Sequence, residues 1–153
     1  MNEKEQFLSE VFPEFLQSLK SEDQPLWGKL SSQGMIEHLS EAIANAYGKI
    51  NIEKQLPEEQ ILKAKAFAMS DKEFKPNTQN ALMSEIPAPL RNHSVQDAIQ
   101  ELHEELSAFF SFYQKQPNAI CLNPFFGELN YNEWLHLLYK HALHHMKQFG
   151  YSV

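Results

Sequence analysis

Residues 130–150 read NYNEWLHLLYKHALHHMKQFG. Asn130 is a natural helix N-cap, and Glu133 three residues on can reach back to its backbone. Gly150 supplies a stop, because glycine readily takes the conformation that closes a helix. Between them Trp134, Leu138, His141 and His145 recur at three- and four-residue spacing, so they share one helical face. Trp134 and Leu138 mark that face as the one turned inward. A surface helix has little need of histidines there, and an apolar core has even less.

The same periodicity runs upstream. Ser94 is placed to cap another helix, with Asp97 completing a capping-box-like pattern. Val95, Ala98, Ile99, Leu102, Leu106, Phe109 and Tyr113 fall on its one apolar face before Pro117 ends it. A helix over about 32–49 carries Met35, Ile36, Leu39, Ala42, Ile43, Ala46 and Tyr47 as a stripe. The first helix, about 4–19, turns Phe7, Leu8, Val11, Phe15 and Leu19 inward, with Pro13 kinking or shortening it. A short helix over about 57–69 starts with Pro57 in its first turn. Residues 70–94, SDKEFKPNTQNALMSEIPAPLRNHS, have three prolines and no clean period. So long a connection tends to be functional or mobile. A loop, PNAICLNPFFGEL, leads from Pro117 to the last helix. Glycine is scarce, five residues in 153, and helix formers dominate. These features predict an all-α protein, a four-helix bundle with one long crossover, in a single domain spanning 1–153.

Composition narrows the function classes. Thirteen basic residues against twenty acidic ones give a net charge of −7, which repels nucleic-acid phosphates and anionic membranes. No nucleic-acid or membrane partner is expected. One cysteine, Cys121, rules out an intramolecular disulfide. The opening MNEKEQFLSEVF lacks the apolar stretch of a signal peptide, and no run approaches the ~18 residues of a membrane span. A reducing cytoplasm is the expected setting.

His141 and His145 project from one face about 6 Å apart. Two histidines stacked in an apolar stripe are hard to satisfy separately, and a divalent metal answers that difficulty. His38 supplies a third nitrogen, since it shares the stripe of Met35, Leu39 and Ala42 on the second helix. Three imidazoles leave a coordination position open, as in catalytic rather than structural sites. Neutral nitrogens select weakly among divalent ions, so affinity order and availability put nickel or zinc ahead of iron. The plainer reading makes the pair exposed or structural and His38 a hydrogen-bonded core residue. His144 either turns outward or supports the site from behind. His93 reads as a loop residue, His136 as an exposed helix residue, and His103 on the third helix as a competitor for the site.

Two blocks then become recognisable: WGKLSSQGMIEHL (27–39) and NPFFGELNYNEWLHLLYKHALHHMKQFG (123–150). Together they resemble the DinB-like superfamily of metal-dependent four-helix-bundle proteins. The second block is most similar to an uncharacterised bacterial branch ending in Lys-His-x-x-His-His-x-x-Gln-Phe-Gly. The resemblance runs the length of the chain, and its specificity rests on about forty residues. It implies an up-down-down-up bundle with the long crossover after the second helix, one metal on His38, His141 and His145, and a homodimer. Better-known relatives use the metal to activate low-molecular-weight thiols in transfer or isomerisation reactions. Two positions depart from the pattern: Asn123 stands where a histidine usually precedes the proline, and Leu143 where an acid is common. Ala142 replaces the glutamate of an H-E-x-x-H site, which removes support for zinc-protease chemistry.

Other residues are weighed against that site. Glu41 and Asn45 are spaced to approach its rim, and Gln148, three residues after His145, is spaced to hydrogen-bond a ligand or substrate. Glu37, about 100° around the helix from His38, reads as solvated. Cys121 lies too far along the chain unless its loop folds back, and reads as a small core hydrophobe. Trp27, Tyr47, Phe125 and Phe126 read as core or loop anchors. The sequence names no catalytic base. Three function classes stay open: a metal-dependent transferase or hydrolase on a small-molecule substrate, a non-catalytic helical protein with a structural metal or histidine network, and an interaction module. Access separates the first two. A pocket reaching the histidines under the 71–93 or 117–129 loop points to an enzyme, and a sealed site to structure.

Overall fold

The computed structural model describes residues 1–75 and 87–152. The chain is mostly helical. In order it forms α1 (Glu3–Gln6), a π-helical turn (Phe7–Val11), α2 (Phe12–Gln17), α3 (Ser32–Ala46), α4 (Glu58–Met69) and α5 (Val95–Lys115). A hairpin of β1 (Cys121–Asn123) and β2 (Gly127–Leu129) follows, and then α6 (Tyr131–Gln148). The middle of the long 70–94 connection lies outside the described residues. Among the described residues no helix is long and apolar enough to cross a membrane.

The caps act where their chemistry places them. Ser31 Oγ accepts from Gly34 N–H, and Ser94 Oγ from Asp97 N–H, each meeting an otherwise unpaired first-turn amide. Asn130 and Glu133 exchange both bonds of a capping box at the start of α6. Gly150 takes φ +100 just beyond that helix. At the far end of α4, the Lys140 ammonium caps the carbonyls of Phe67, Ala68 and Ser70 from α6, at 2.9–3.3 Å.

The first helix departs from its expected stripe. Leu8, Phe12, Leu16 and Leu19 are buried, whereas Val11 is 36% exposed and Phe7 and Phe15 are half-buried. Phe12 N–H reaches back to Phe7 O, one residue further than in an α-helix. In a regular helix the Pro13 ring would press on the carbonyl of Ser9, and the wider turn relieves this. The extra residue in that turn moves the inward positions from 11 and 15 to 12 and 16.

The core forms where α3 packs along α5, with α6 against α3 and the N-terminal helices. Met35, Ile36, Leu39 and Ile43 meet Ala98, Ile99, Leu102, Leu106 and Phe109, with Trp134, Leu138 and Met146 from α6. All seven residues read as the inner face of α5 are buried. Tyr113 closes one end, its hydroxyl donating to the Ala46 carbonyl at 2.7 Å as α3 finishes.

Two expectations about burial are corrected. Glu37 is 4% exposed, not solvated. Its carboxylate accepts from the backbone N–H groups of Arg91 and Asn92 (2.8 and 2.9 Å) and from the side chains of Asn92 and Gln33 (both 3.1 Å). Burial opposes its charge, but these donors outweigh it and hold its pKa below the ordinary value. Glu37 thus pins the approach to α5 onto α3, one residue from His38. His136 is buried rather than exposed, with Nε2–H donating to Ser70 O at 3.0 Å.

The 117–129 loop contains a hairpin that helical periodicity did not foresee. Cys121 pairs with Leu129 and Asn123 with Gly127. Asn123 Oδ1 accepts from Phe125 and Phe126 N–H (2.8 and 3.0 Å), an Asx turn that folds Asn-Pro-Phe-Phe into the bend. Gly127 takes φ +79, where a side chain would be strained and its Cβ would sit 3.0 Å from Ile61. The Trp134 indole N–H donates to Cys121 O at 3.1 Å, and the Asn45 side chain donates to Leu122 O at 3.2 Å. These two bonds fold the hairpin back over the faces of α6 and α3 that carry the histidines.

Candidate metal centre

His38 enters from the middle of α3, while His141 and His145 stand one turn apart on α6. Their Nε2 atoms converge. His141 Nε2 lies 3.0 Å from His38 Nε2 and 3.1 Å from His145 Nε2, and all three candidate ligand atoms lie within 4.8 Å of one another. Two nitrogens held about 2.0–2.1 Å from one ion are separated by roughly 3.0–3.4 Å, so the two short separations, both to His141, fit shared ligation.

The hydrogen bonds behind the site decide which nitrogen is bare. Gln148 sends its amide Nε2–H to the Trp27 carbonyl at 3.0 Å, which can only accept. Its Oε1 therefore faces His145 Nδ1, 2.7 Å away, and that nitrogen must carry the proton. His145 Nε2 is then an unprotonated lone pair aimed at the centre. His141 Nε2 lies between His145 Nε2 and His38 Nε2 and can satisfy only one of them, as donor or as acceptor, so neutral imidazoles leave the trio under-satisfied. Burial discourages a charged one. It pushes His38 down to about 4, helped by nearby His144, and holds His141 and His145 well below the ordinary histidine range, where mutual repulsion adds to it. A single cation among three neutral lone pairs resolves both problems, and the residues present fit it.

Gln148 is spaced on α6 to reach this centre and does so. Replacing it with Ala should free the His145 ring to turn, weakening metal affinity by about 10–100-fold while the helical circular dichroism is retained. Competition titration with a chromogenic chelator measures the change.

The remaining candidates separate. His144 is buried, donates Nδ1–H to Phe74 O at 3.1 Å, and packs edge-on against His145 and Trp27. It packs against His145 from behind and is not one of the three clustered histidines. His103 is half-buried on α5 outside the cluster, and His93 is exposed in the segment before α5. Cys121 packs beside the core as a half-buried free thiol and does not line the site.

A pocket of about 160 Å³ opens from the surface onto His38 and His141. Asn45 and Asn123 form part of its wall, Phe125 roofs it, and exposed Glu41 stands at its edge. The roof comes from the 117–129 loop. The wall from Asn123 to Phe125 and Ile52 was not read as part of the site. Its signal is the Asn-Pro-Phe-Phe-Gly stretch, which marks an Asx turn and not a featureless loop. A second cavity of about 190 Å³, among Trp27, Phe74, Lys140 and His144, touches none of the three clustered histidines.

The chain matches no protein-family model, no curated protein and no solved structure.

Proposed function

We propose that this chain is a DinB-like, metal-dependent protein holding one divalent ion on His38, His141 and His145. In this reading its helices form an up-down-down-up four-helix bundle with the crossover after the second, and it acts as a thiol-linked transferase or a hydrolase on a small molecule. A cytoplasmic homodimer belongs to the same proposal. The observation that carries the enzymatic reading is the pocket. A structural ion would be sealed, whereas here a surface pocket reaches in to half-buried His38, with buried His141 in its lining.

A divalent ion at three imidazoles retains room for a thiol or water ligand and lowers that ligand's pKa. The chain's own residues do the rest. Gln148 keeps the His145 proton on Nδ1 and its lone pair inward. Trp134 and Leu138 form an apolar wall that limits water beside the histidines. Phe125, placed by the Asn123 turn, covers a bound ligand. Glu37 is spent on the 91–92 segment and takes no part in proton transfer.

Chelation tests this reading. Removing the ion should abolish metal-dependent turnover in a panel of thiol-transfer and hydrolysis assays, yet leave the helical circular dichroism in place, because the core is buried without it. Full unfolding on chelation at neutral pH would make the metal structural instead.

A further inference from the structure

The pocket over the histidines is mostly apolar, with Glu41 as the acidic side chain among its described lining residues. Ala42, Ile52, Phe125, Trp134, Leu137 and Leu138 make most of its wall apolar, and no described lining residue is Lys or Arg. Asn45 spends its amide N–H groups on the Ile50 and Leu122 carbonyls, and Asn123 spends its side-chain oxygen on the turn. Among the described residues, Asn45 Oδ1 and Asn123 Nδ2 take no protein partner, so the wall offers one neutral acceptor and one neutral donor. Glu41 is the charged side chain of the lining. Arg91, near enough to feel Glu41, is already paired with Glu101.

Resting on the metal reading above, we propose that the site takes a small molecule with an apolar body and a neutral or cationic distal end, and that Glu41 disfavours anionic ones. A negative group that binds the metal directly is compensated there. A second negative group, lying along the wall or at the mouth, would meet Glu41 and the field of a chain of net charge −7, with no Lys or Arg among the described lining residues to receive it. Its lost hydration would go unreplaced.

The test uses cobalt(II)-loaded protein and three thiols of similar size: cysteamine, 1-propanethiol and 3-mercaptopropionate. Binding is read from the sulfur-to-cobalt charge-transfer absorption. Wild type should bind cysteamine and propanethiol more tightly than 3-mercaptopropionate. The thiols differ in acidity, so the deciding quantity is the cysteamine-to-mercaptopropionate affinity ratio in wild type against Glu41→Gln, where acidity cancels. That ratio should fall by about threefold or more in the variant. An unchanged ratio, or cobalt binding with no thiol band from any of the three, would overturn the inference and leave the metal centre standing. Absence of any cobalt d–d absorption before thiol is added would overturn the metal reading, and this inference with it.

Discussion

Trp134→Ala is expected to cost about 3–5 kcal/mol of folding stability, the largest loss from a single side chain near the site. Trp134 is 1% exposed and packs in the core beneath the pocket. Truncation leaves a cavity that the surrounding helices can fill only in part. It also removes the indole N–H that the Cys121 carbonyl accepts at 3.1 Å. In a domain of this size the melting temperature should drop by on the order of 10 °C. Trp134→Phe separates the two contributions. It keeps most of the packing but loses the hydrogen bond, and should cost about 1–3 kcal/mol. Denaturant unfolding measures both, and equal stability of Trp134→Ala and wild type would show that the hairpin is not anchored through this residue.

Acid should destabilise the protein through the same histidines. Burial holds His38, His141 and His145 below the ordinary histidine pKa, His38 at about 4. In the unfolded chain they titrate near ~6.5. Between those values the unfolded state binds more protons than the native state, so stability rises with pH across the window. The contribution is complete above about 6.5 and is lost progressively below it, ending for His38 near pH 4. Bound metal adds to the effect in the same direction, because protons and metal compete for the same lone pairs. At neutral pH, metal at about 100 times its Kd should add roughly 2.7 kcal/mol, or about 5–10 °C in melting temperature. By pH 5 that gain should have largely disappeared. Melting curves with zinc, nickel and chelator from pH 5 to 8 would show it. A melting temperature indifferent to metal and chelator throughout would return the cluster to an ordinary buried network.

Much of this arrangement was legible in local chemistry. Ser94 with Asp97, Asn130 with Glu133, and Gly150 delimit two long helices because caps act over three or four residues. The convergence of His38 with His141 and His145 follows from helical faces that must both turn inward. What escaped depends on partners far along the chain. Glu37 lies a third of a turn from His38, and periodicity alone leaves it in water. It is buried because residues 91 and 92 bring four donors, with Gln33, to its carboxylate. His136 is buried for the same kind of reason, by Ser70. The π-turn before Pro13 displaced an apolar stripe by one position, a shift that a fixed 100° step cannot represent. The hairpin is too short for alternation to reveal, and the Asn123 side chain rather than strand propensity shapes its bend.

The most direct test of the metal centre is elemental analysis of untagged protein beside its His38→Ala variant. His38 is half-buried on α3, and its removal leaves the two nitrogens of α6 with Gln148 still behind them. The variant should keep its helical circular dichroism. Wild type should carry close to one divalent ion per chain, and His38→Ala far less after the same dialysis, because two imidazoles bind weakly where three bind well. Equal metal content in the two proteins, or none in wild type after reconstitution with zinc or nickel, would contradict a three-histidine centre.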